Sequence, residues 1–380
     1  MMAYVPITCH HRKIVHKTIY FTKGVFIMAS ISKKEFGRLS NGSLVYSYTL
    51  ENRAGAKATI ITYGARIQSF VVPDKEGNFR DIILGFDTAK GYEEETFYMG
   101  AIVGPHANRI QNAEFTLNDT TYYLECNDGA NHTNNLHSGS TGFHAKLWGA
   151  EVRDGKLQMW QFRPDGEGGF PGTLTAQVTY ELTEANALKI DYQVTSDTDT
   201  ICNMTNHSYF NLNGIGGGSI LNHKLQIMAD SLTESDAEAL PNGKIYQAEG
   251  TPMDFRQLTP IGQRIDDDFQ QLIWGAGYDH NWILSGPVKD GLRQAAFAVS
   301  EESGITLSVY TDMPGMQFYS GNFLDGTPGK KDIPCKRRSG FALETQYFPN
   351  SPMHPEFPQP ILKAGKTWNS TTIFKAGIEK

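Results

Sequence analysis

The sequence predicts an all-β fold, a large antiparallel β-sandwich with few short helices. Three observations lead to this prediction: apolar and polar residues alternate over several segments, turn sequences recur, and helical periodicity is nearly absent. Successive side chains of a strand point to opposite faces of its sheet, so alternation indicates one buried and one solvated face. Two sheets that pack their apolar faces together would bury such a pattern.

The strand signals recur along the whole chain. Residues 58–61 and 70–72 are short apolar runs. Residues 174–182 and 188–195 alternate most clearly, and the polar segment Thr183 to Asn186 between them predicts a hairpin. Residues 305–309 continue the pattern. Turn signals lie between such segments, at Asn41-Gly42, Glu76-Gly77-Asn78, Asn242-Gly243 and Asp325-Gly326.

One short helix is predicted, after residue 259. Thr259-Pro260 is typical of a helix start, and apolar residues follow it at roughly helical spacing. They are Ile261, Ile265, Phe269 and Leu272.

Composition limits the class of protein. The 380 residues carry a net charge of −7, and no dense basic patch is present. Because phosphate binding needs a local excess of Lys and Arg, we expect no nucleic-acid partner. The apolar run at residues 19–28 is interrupted by Lys23 and is too short for a membrane span or a secretory signal. We therefore expect no membrane association.

The N-terminal segment differs from the rest of the chain. Residues 1–28 are rich in His and Lys, and we expect a disordered extension there, with an organelle-targeting segment as the alternative. No linker, low-complexity run or repeat divides residues 29–380, which predicts a single domain.

Cysteines and potential glycosylation sites favour the cytoplasm. The four cysteines (Cys9, Cys126, Cys202 and Cys335) lie far apart and form no C-x-x-C pair. They suggest neither a disulfide framework nor a zinc ribbon. Two N-glycosylation sequons begin at Asn203 and Asn206, within the segment that carries a candidate catalytic residue. A glycan there would block the site, so a secretory route is disfavoured.

Two segments contain the candidates for acid–base chemistry. His207 lies in Asn206-His207-Ser208-Tyr209, where an imidazole and a phenol two residues apart would share one face of a strand. Glu344 lies between Phe341-Ala342-Leu343 and an aromatic segment, where burial would raise the pKa of its carboxyl. An imidazole and a carboxylate together can supply a proton donor and a proton acceptor near neutral pH.

Other polar residues could bind a hydroxylated ligand. Asn108 and Arg109 place an amide beside a guanidinium, which suits the edge of a sugar ring. His137 lies in a loop of small residues, and Gln317 adds an amide among aromatic rings. Asp254 could accept hydrogen bonds from two hydroxyls, or it could form a structural pair with the nearby arginine.

Several functions remain open from the residues alone. The chain has no phosphate-binding glycine loop, no G-x-S-x-G and no H-E-x-x-H, while a metal site formed by three histidines stays possible. A glycoside hydrolase would need a carboxylate pair, for which Asp254 and Glu344 are the candidates. A non-catalytic sugar-binding or regulatory protein would not need the matched acid and base.

The motifs taken together resemble the aldose 1-epimerase, or galactose mutarotase, family. The resemblance runs from about residue 36 to residue 374 in the expected order. The segments that carry it are Ala107-Asn108-Arg109-Ile110, Leu136-His137, Asp165-Gly166 through Phe170-Pro171-Gly172, Asn206-His207-Ser208-Tyr209-Phe210-Asn211-Leu212, Thr251-Pro252-Met253-Asp254-Phe255-Arg256, Gly277-Tyr278-Asp279-His280-Asn281, Gln317-Phe318-Tyr319-Ser320-Gly321-Asn322-Phe323 and Leu343-Glu344-Thr345-Gln346.

The resemblance implies a galactose mutarotase-like supersandwich that interconverts the α and β anomers of aldohexoses such as glucose and galactose. The family's general base falls on Glu344 and its general acid on His207. Family positions that hold the sugar fall on Asn108, Arg109, His137, Tyr209, Asp254 and Gln317. No metal or organic cofactor is implied, the partner is a small aldohexose, and we expect a monomer or a homodimer.

An acid–base pair of this kind predicts a bell-shaped pH profile. The carboxylate would set its lower limb and the imidazole its upper limb.

The chain departs from the family pattern at several positions. Pro105 replaces an arginine and is followed by His106, Ser138 replaces a glycine, and His144-Ala145 replaces Asp-Lys. None of these positions is the predicted acid or base. We therefore expect the reaction type to be kept, while the pocket shape and sugar preference differ.

Overall fold

The computed structural model describes residues 30–379, so the expected extension at residues 1–28 lies outside the described residues. The described chain is built mainly from β-strands. In chain order they are β1 (Ser30–Arg38), β2 (Leu44–Glu51), β3 (Lys57–Ile61), β4 (Arg66–Pro73), β5 (Phe79–Asp81), β6 (Ile102–Val103), β7 (Arg109–Ile110), β8 (Glu114–Leu117), β9 (Thr120–Tyr123), β10 (Asn135–Leu136), β11 (Gly149–Arg153), β12 (Lys156–Arg163), β13 (Leu174–Leu182), β14 (Ala187–Ser196), β15 (Thr200–Ile201), β16 (Thr205–Asn206), β17 (Tyr209–Phe210), β18 (Lys224–Ile227), β19 (Ala229–Ser235), β20 (Pro241–Gln247), β21 (Thr259–Pro260), β22 (Asp279–Leu284), β23 (Val288–Lys289), β24 (Leu292–Val299), β25 (Ile305–Thr311), β26 (Gly315–Tyr319), β27 (Asp325–Pro328), β28 (Pro334–Lys336), β29 (Phe341–Gln346), β30 (Ile361–Leu362) and β31 (Thr367–Ile378).

Helices are few and short within residues 30–379, which confirms the predicted all-β class. The two α-helices are α1 (Ala89–Glu94) and α2 (Gln270–Gly275). Single 3-10 turns occur at Gln111–Ala113, Gly139–Thr141, Phe143–Ala145, Glu167–Gly169, Ile220–Asn222, Ile261–Gln263, Lys330–Asp332 and Ser351–Met353.

The predicted helix after residue 259 is only partly correct. Thr259-Pro260 pairs with β18 as strand β21, a 3-10 turn follows at Ile261–Gln263, and α2 begins only at Gln270. Ile261, Ile265 and Leu272 are all buried. They belong to separate short segments, so their spacing does not mark one face of a single helix. Helix α1 was not predicted.

Three large antiparallel sheets form the body of the protein. The first joins β1 to β5 in sequence order. The second has ten strands, ordered β11-β12-β13-β14-β31-β25-β24-β18-β21, with β23 paired to β24. The third has six strands, ordered β17-β29-β26-β22-β19-β20. One hydrophobic core contains residues from all three sheets, so the sheets pack their apolar faces against a common interior.

The predicted hairpin at residues 174–195 is confirmed. Strands β13 and β14 pair in antiparallel register from Leu174 opposite Ser196 to Leu182 opposite Leu188. Val178 and Ile190 are fully buried, while Thr175 and Thr195 face outward. The alternation in the sequence thus marks the two faces of the ten-stranded sheet, as expected for a half-buried sheet.

The six-stranded sheet presents the polar face that matters for function. In β29 the side chains of Phe341 and Leu343 join the main core, whereas Ala342 and Glu344 lie on the opposite face. All six residues of β29 are buried, because loops from other parts of the chain cover that second face. Within residues 30–379, no helix has the length and apolar character needed to cross a membrane.

Candidate active site

A cleft of about 410 Å³ opens over the polar face of the six-stranded sheet. Its volume lies in the range of small-molecule binding sites. The lining residues come from distant parts of the chain: Thr96, Phe97, Tyr98, Asn108, Arg109, Asp128, Leu136, His137, His207, Tyr209, Asp279, Tyr319, Phe323 and Glu344. The structure therefore brings six of the eight predicted site residues to one cavity.

Strand register places an acidic and amide cluster on the floor of the cleft. Glu344 of β29 lies directly opposite Gln317 of β26, and Gln317 is diagonal to Asp279 of β22. The Gln317 Nε2 donates a hydrogen bond of 2.7 Å to Oδ1 of Asp279. Gln317 thus holds the Asp279 carboxylate beside Glu344, although Gln317 itself lies behind the cleft lining.

His207 and Glu344 meet at the centre of the site. Nε2 of His207 lies 3.6 Å from Oε1 of Glu344, and these side chains are 7% and 2% exposed. His207 lies between the short strands β16 and β17, and its ring centroid is 5.1 Å from that of Tyr209. The Tyr209 hydroxyl donates to the carbonyl of Phe97, so Tyr209 supports the imidazole more than it offers a free polar group.

His137 is fixed by the backbone of the loop that contains Asn108. The Asn108 N–H donates to Nδ1 of His137 at 3.0 Å, and the His137 N–H donates back to the Asn108 carbonyl. Because Nδ1 accepts, the neutral ring carries its proton on Nε2. Both residues have positive φ values, 63° and 54°. This local geometry turns the two side chains into the cleft.

Arg109 provides the positive charge of the site. Its Nε donates to Oδ2 of Asp128 at 2.8 Å, which leaves the two Nη groups without a hydrogen bond to other residues in the range 30–379. The charges of Asp279 and Asp128 raise the pKa of Arg109 despite its burial. A guanidinium held in this way can donate two parallel hydrogen bonds to neighbouring hydroxyls.

Burial favours the uncharged form of both central groups. Desolvation, together with the Asp279 charge, raises the pKa of Glu344 well above its ordinary value, and only the charge of Arg109 opposes this. Desolvation lowers the pKa of His207 to about 4. The pair as a unit therefore holds one proton over a wide pH range.

Asp254 is not brought to the cleft. Its carboxylate accepts hydrogen bonds from Nε and Nη2 of Arg256 at 3.0 and 2.9 Å, and this hydrogen bonding lowers its pKa. Both oxygens are thus engaged in the structural ion pair that the sequence left open. The carboxylate pair of Asp254 and Glu344, which a hydrolase would need, is not assembled.

Asp279 and Tyr98 are among the cleft residues that sequence reasoning did not predict as site residues. Asp279 lies within one of the family-like segments, Gly277-Tyr278-Asp279-His280-Asn281, so a signal for it was present. Nothing in the residues around Tyr98 indicates a position in the cleft. Its placement depends on contacts with sequence-distant side chains.

Three cleft side chains could be considered as metal ligands. One ligand atom from each of His137, His207 and Glu344 lies within 4.8 Å of the others. Nδ1 of His137 already accepts the Asn108 N–H, so only Nε2 of that ring could serve as a ligand atom.

The departures from the family pattern cluster around His137. The Ser138 hydroxyl accepts from the His106 N–H and donates to the His106 carbonyl, both at 2.9 Å. Burial lowers the pKa values of His106 and His144 to about 3, so both rings are neutral. His144 thus places an uncharged imidazole where the family pattern has a charged side chain.

Comparison with known proteins agrees with these features. A family model described as aldose 1-epimerase matches residues 46–375. Galactose mutarotase of Mus musculus is 38% identical over 353 residues, which cover 92% of this chain and 100% of that protein. Aldose 1-epimerase of Escherichia coli (strain K12) is 38% identical over 331 residues, which cover 86% of this chain and 94% of that protein.

Solved structures show the same architecture. Galactose 1-epimerase from Lactobacillus acidophilus NCFM superposes with a TM-score of 0.81 at 27% identity, covering 93% of this chain and 100% of that one. An aldose epimerase homologue from C. elegans superposes with a TM-score of 0.79 at 28% identity, covering 87% and 98%.

Proposed function

This chain belongs to the aldose 1-epimerase family, and from that premise we propose that it interconverts the α and β anomers of aldohexoses with Glu344 as general base and His207 as general acid. The observation that carries the proposal is the 3.6 Å approach of these two side chains in a buried cleft. Neither alternative, a hydrolase or a purely sugar-binding protein, is favoured by any feature of the site.

The chemistry needs one proton removed and one supplied. The Glu344 carboxylate takes the proton of the anomeric hydroxyl as the C1–O5 bond breaks, and the imidazolium of His207 gives its proton to O5. The product is the open aldehyde with a free hydroxyl at C5. Rotation about C1–C2 exposes the other face of the carbonyl, and the reverse proton transfers close the ring. Each positioned group contributes about 10²–10⁴ in rate.

The walls of the cleft hold the sugar during ring opening. Arg109, His137 and Asn108 line the cleft, and we expect the free Nη groups of Arg109, the Nε2–H of His137 and the side-chain amide of Asn108 to donate to sugar hydroxyls. Asp279, positioned by Gln317, accepts from sugar hydroxyls on the opposite side. Such fixed hydrogen bonds keep C1 and O5 aligned between base and acid through the rotation.

We predict a pH profile of kcat/KM that is bell-shaped but with its limbs assigned in the reverse order to the sequence-based expectation. Activity requires the pair to hold one proton. Because the pKa of His207 is lowered to about 4, the acidic limb arises there, where the imidazole takes a second proton. Because the pKa of Glu344 is raised, the alkaline limb arises when Glu344 loses the proton.

Nitrogen NMR of labelled histidine checks this assignment in the free enzyme, with the His207→Asn variant used to identify the signal. The His207 ring should be neutral at pH 5.5 and should titrate near pH 4. A ring that is protonated at pH 5.5 would contradict the reversed order. Turnover uses the form of the pair in which the shared proton lies on His207 and Glu344 is a carboxylate.

Two aspartates provide a test of which carboxylate binds the sugar. Asp279→Asn should raise KM or lower kcat/KM by about 10-fold or more, since a charged hydrogen bond contributes about 1.5–3 kcal/mol. Asp254→Asn is the matched control, and its kcat/KM should stay within about twofold of wild type. Steady-state kinetics of both variants decide the matter. A larger loss for Asp254→Asn would restore the sequence-based assignment.

Optical rotation of fresh sugar solutions tests the function itself. The protein should accelerate the relaxation of α-D-glucose and α-D-galactose towards their equilibrium rotations. The same preparation should release no nitrophenol from nitrophenyl glycosides. Unaccelerated relaxation of both sugars would reject the proposal, and glycoside cleavage would point to a hydrolase.

We also propose a cytoplasmic location and a monomeric or homodimeric state. Both sequon asparagines are buried: Asn203 accepts from the Tyr347 N–H, and Asn206 donates to the Gly100 carbonyl. A glycan on either side chain would not fit the folded protein. Sedimentation of the purified protein would measure the oligomeric state.

A further inference from the structure

We propose that Tyr98 is a positioning and specificity residue of this active site, whose ring holds the imidazoles of His137 and His207 and whose hydroxyl meets a hydroxyl of the bound sugar. The inference rests on the proposed function, because it concerns the same cleft. Four independent features of the structure support it: the ring contacts, the backbone conformation, the support behind the segment, and the free hydroxyl.

The Tyr98 ring lies among the histidines of the cleft. Its centroid is 4.5 Å from that of His137 and 6.0 Å from that of His207, while the two imidazoles are 5.4 Å apart. The His137 contact is edge-on, with an interplanar angle of 67°. Edge-on geometry is a favoured arrangement of aromatic rings, and such contacts restrict ring orientation. Tyr98 thus restricts both imidazoles from one side.

The backbone of Tyr98 is held in a conformation that such a residue rarely adopts. Its φ angle is 57°, in the left-handed region that is costly for a bulky side chain. A conformation of this kind persists only where the surroundings impose it, and it is concentrated at functional sites. Here the left-handed turn directs the ring into the cleft.

A buried ion pair imposes this conformation. Nη1 of Arg66 lies 2.5 Å from Oε1 of Glu95, and both side chains are almost fully buried. Oε2 of Glu95 accepts the backbone N–H groups of Phe97 and Met99, and Nη1 of Arg66 also donates to the Met99 carbonyl. The residues on both sides of Tyr98 are therefore tied to a single buried pair.

The same arginine connects the segment to His144, one of the departures from the family pattern. Nη2 of Arg66 donates to the His144 carbonyl, and the His144 ring lies edge-on to Tyr98 with centroids 4.7 Å apart. A neutral imidazole packs against the phenol ring where the family pattern has a carboxylate. Tyr98 is thus enclosed by aromatic rings, which is a feature of this chain's own residues.

The Tyr98 hydroxyl is available to a ligand. It makes no hydrogen bond to any residue between 30 and 379, although Tyr98 lines the cleft beside Arg109. Burial and nearby carboxylates raise the pKa of this phenol to about 12, so the group stays protonated and can both donate and accept. A free phenol beside the sugar-binding groups suits recognition of one sugar hydroxyl.

The experiment separates the ring from the hydroxyl. Tyr98→Phe keeps the ring and should leave kcat within about threefold of wild type, while KM rises about fivefold to tenfold through loss of one hydrogen bond. Tyr98→Leu removes the ring at the same backbone conformation. Its kcat should fall about 10-fold to 100-fold because the imidazoles are no longer aligned.

A matched control and a fold check accompany these variants. Tyr246→Phe removes another phenol that lies outside the cleft and has no hydrogen-bond partner among the described residues, and its kinetics should match wild type. Circular dichroism establishes that each variant is folded. A kcat that is kept in Tyr98→Phe but lost in Tyr98→Leu supports the positioning role. A merely structural defect would not change KM in one variant and kcat in the other.

Two results would overturn the inference. Unchanged KM in Tyr98→Phe for both glucose and galactose would remove the specificity role. Unchanged kcat and pH profile in a folded Tyr98→Leu would remove the positioning role. Failure of the proposed function is distinguishable, because it would appear as unaccelerated relaxation of both sugars by the wild-type protein, whatever the Tyr98 variants do.

Discussion

Replacing Glu344 by Gln is expected to slow the relaxation of α-D-galactose by at least about 10². The variant keeps the shape of the side chain and removes its ability to take the anomeric proton. A general base held in place contributes about 10²–10⁴. The carboxylate is buried opposite Gln317 on the six-stranded sheet, so no water-exposed group can replace it.

Polarimetry over the first minutes after dissolving the pure anomer measures this loss. Glu184→Gln, at an exposed ion pair with Arg53, is the control and should relax the sugar as fast as wild type. Binding should survive in Glu344→Gln, because Arg109 and His137 are untouched. Near-normal relaxation by the folded variant would mean that Glu344 is not the base.

Replacing His207 by Asn is expected to cause a loss of similar size, at least about 10². Asn approximates the volume near the backbone and keeps a polar group, but it cannot carry a proton to O5. The effect should appear in kcat more than in KM, since His207 acts on the reacting oxygen rather than on the hydroxyls that anchor the sugar.

The matched control for this variant is His354→Asn. His354 is partly buried, donates from Nε2 to the Pro241 carbonyl, and is not among the residues that line the cleft. Its removal should leave turnover unchanged. If His207→Asn raised KM but left kcat unchanged, the role of general acid would be contradicted.

Sequence patterning predicted the sheets better than the helices. Alternation in β13 and β14 follows directly from one wet and one buried face. By contrast, Ile261 lies in a 3-10 turn and Leu272 lies in α2. Both are buried, but their helix-like spacing does not come from one continuous helix. Periodicity reports which residues are buried but does not show whether the chain between them is continuous.

The proposed acid and base were predicted from motifs, whereas the supporting contacts were not. Nothing in the sequence decides whether Asp254 is engaged by Arg256 or whether Asp279 is held by Gln317. Loop conformation decides the first outcome, and strand register across β22 and β26 decides the second. In the sequence, Asp254 and Asp279 look alike, because each is a carboxylate beside aromatic residues. Only the folded protein separates the structural carboxylate from the one in the cleft.

Which of Glu344 and His207 gives each limb of the pH profile could also not be predicted without the fold. The ordinary pKa values of a carboxyl and an imidazole in water assign the lower limb to Glu344 and the upper limb to His207. Burial reverses them, because desolvation disfavours both charges and moves the two pKa values in opposite directions. The conformation of Tyr98 likewise depends on the buried pair of Arg66 and Glu95, and no local sequence pattern predicts that pair.

The most direct test of joint action is the relaxation rate of α-D-galactose with Glu344→Gln, His207→Asn and the double variant. If both side chains work on one hemiacetal as a unit, the double variant should be no slower than the worse single variant by more than a few-fold. Losses that multiply, to roughly 10⁴ or more when each single loss is about 10², would mean that the two residues act independently and that the shared proton is not the basis of turnover.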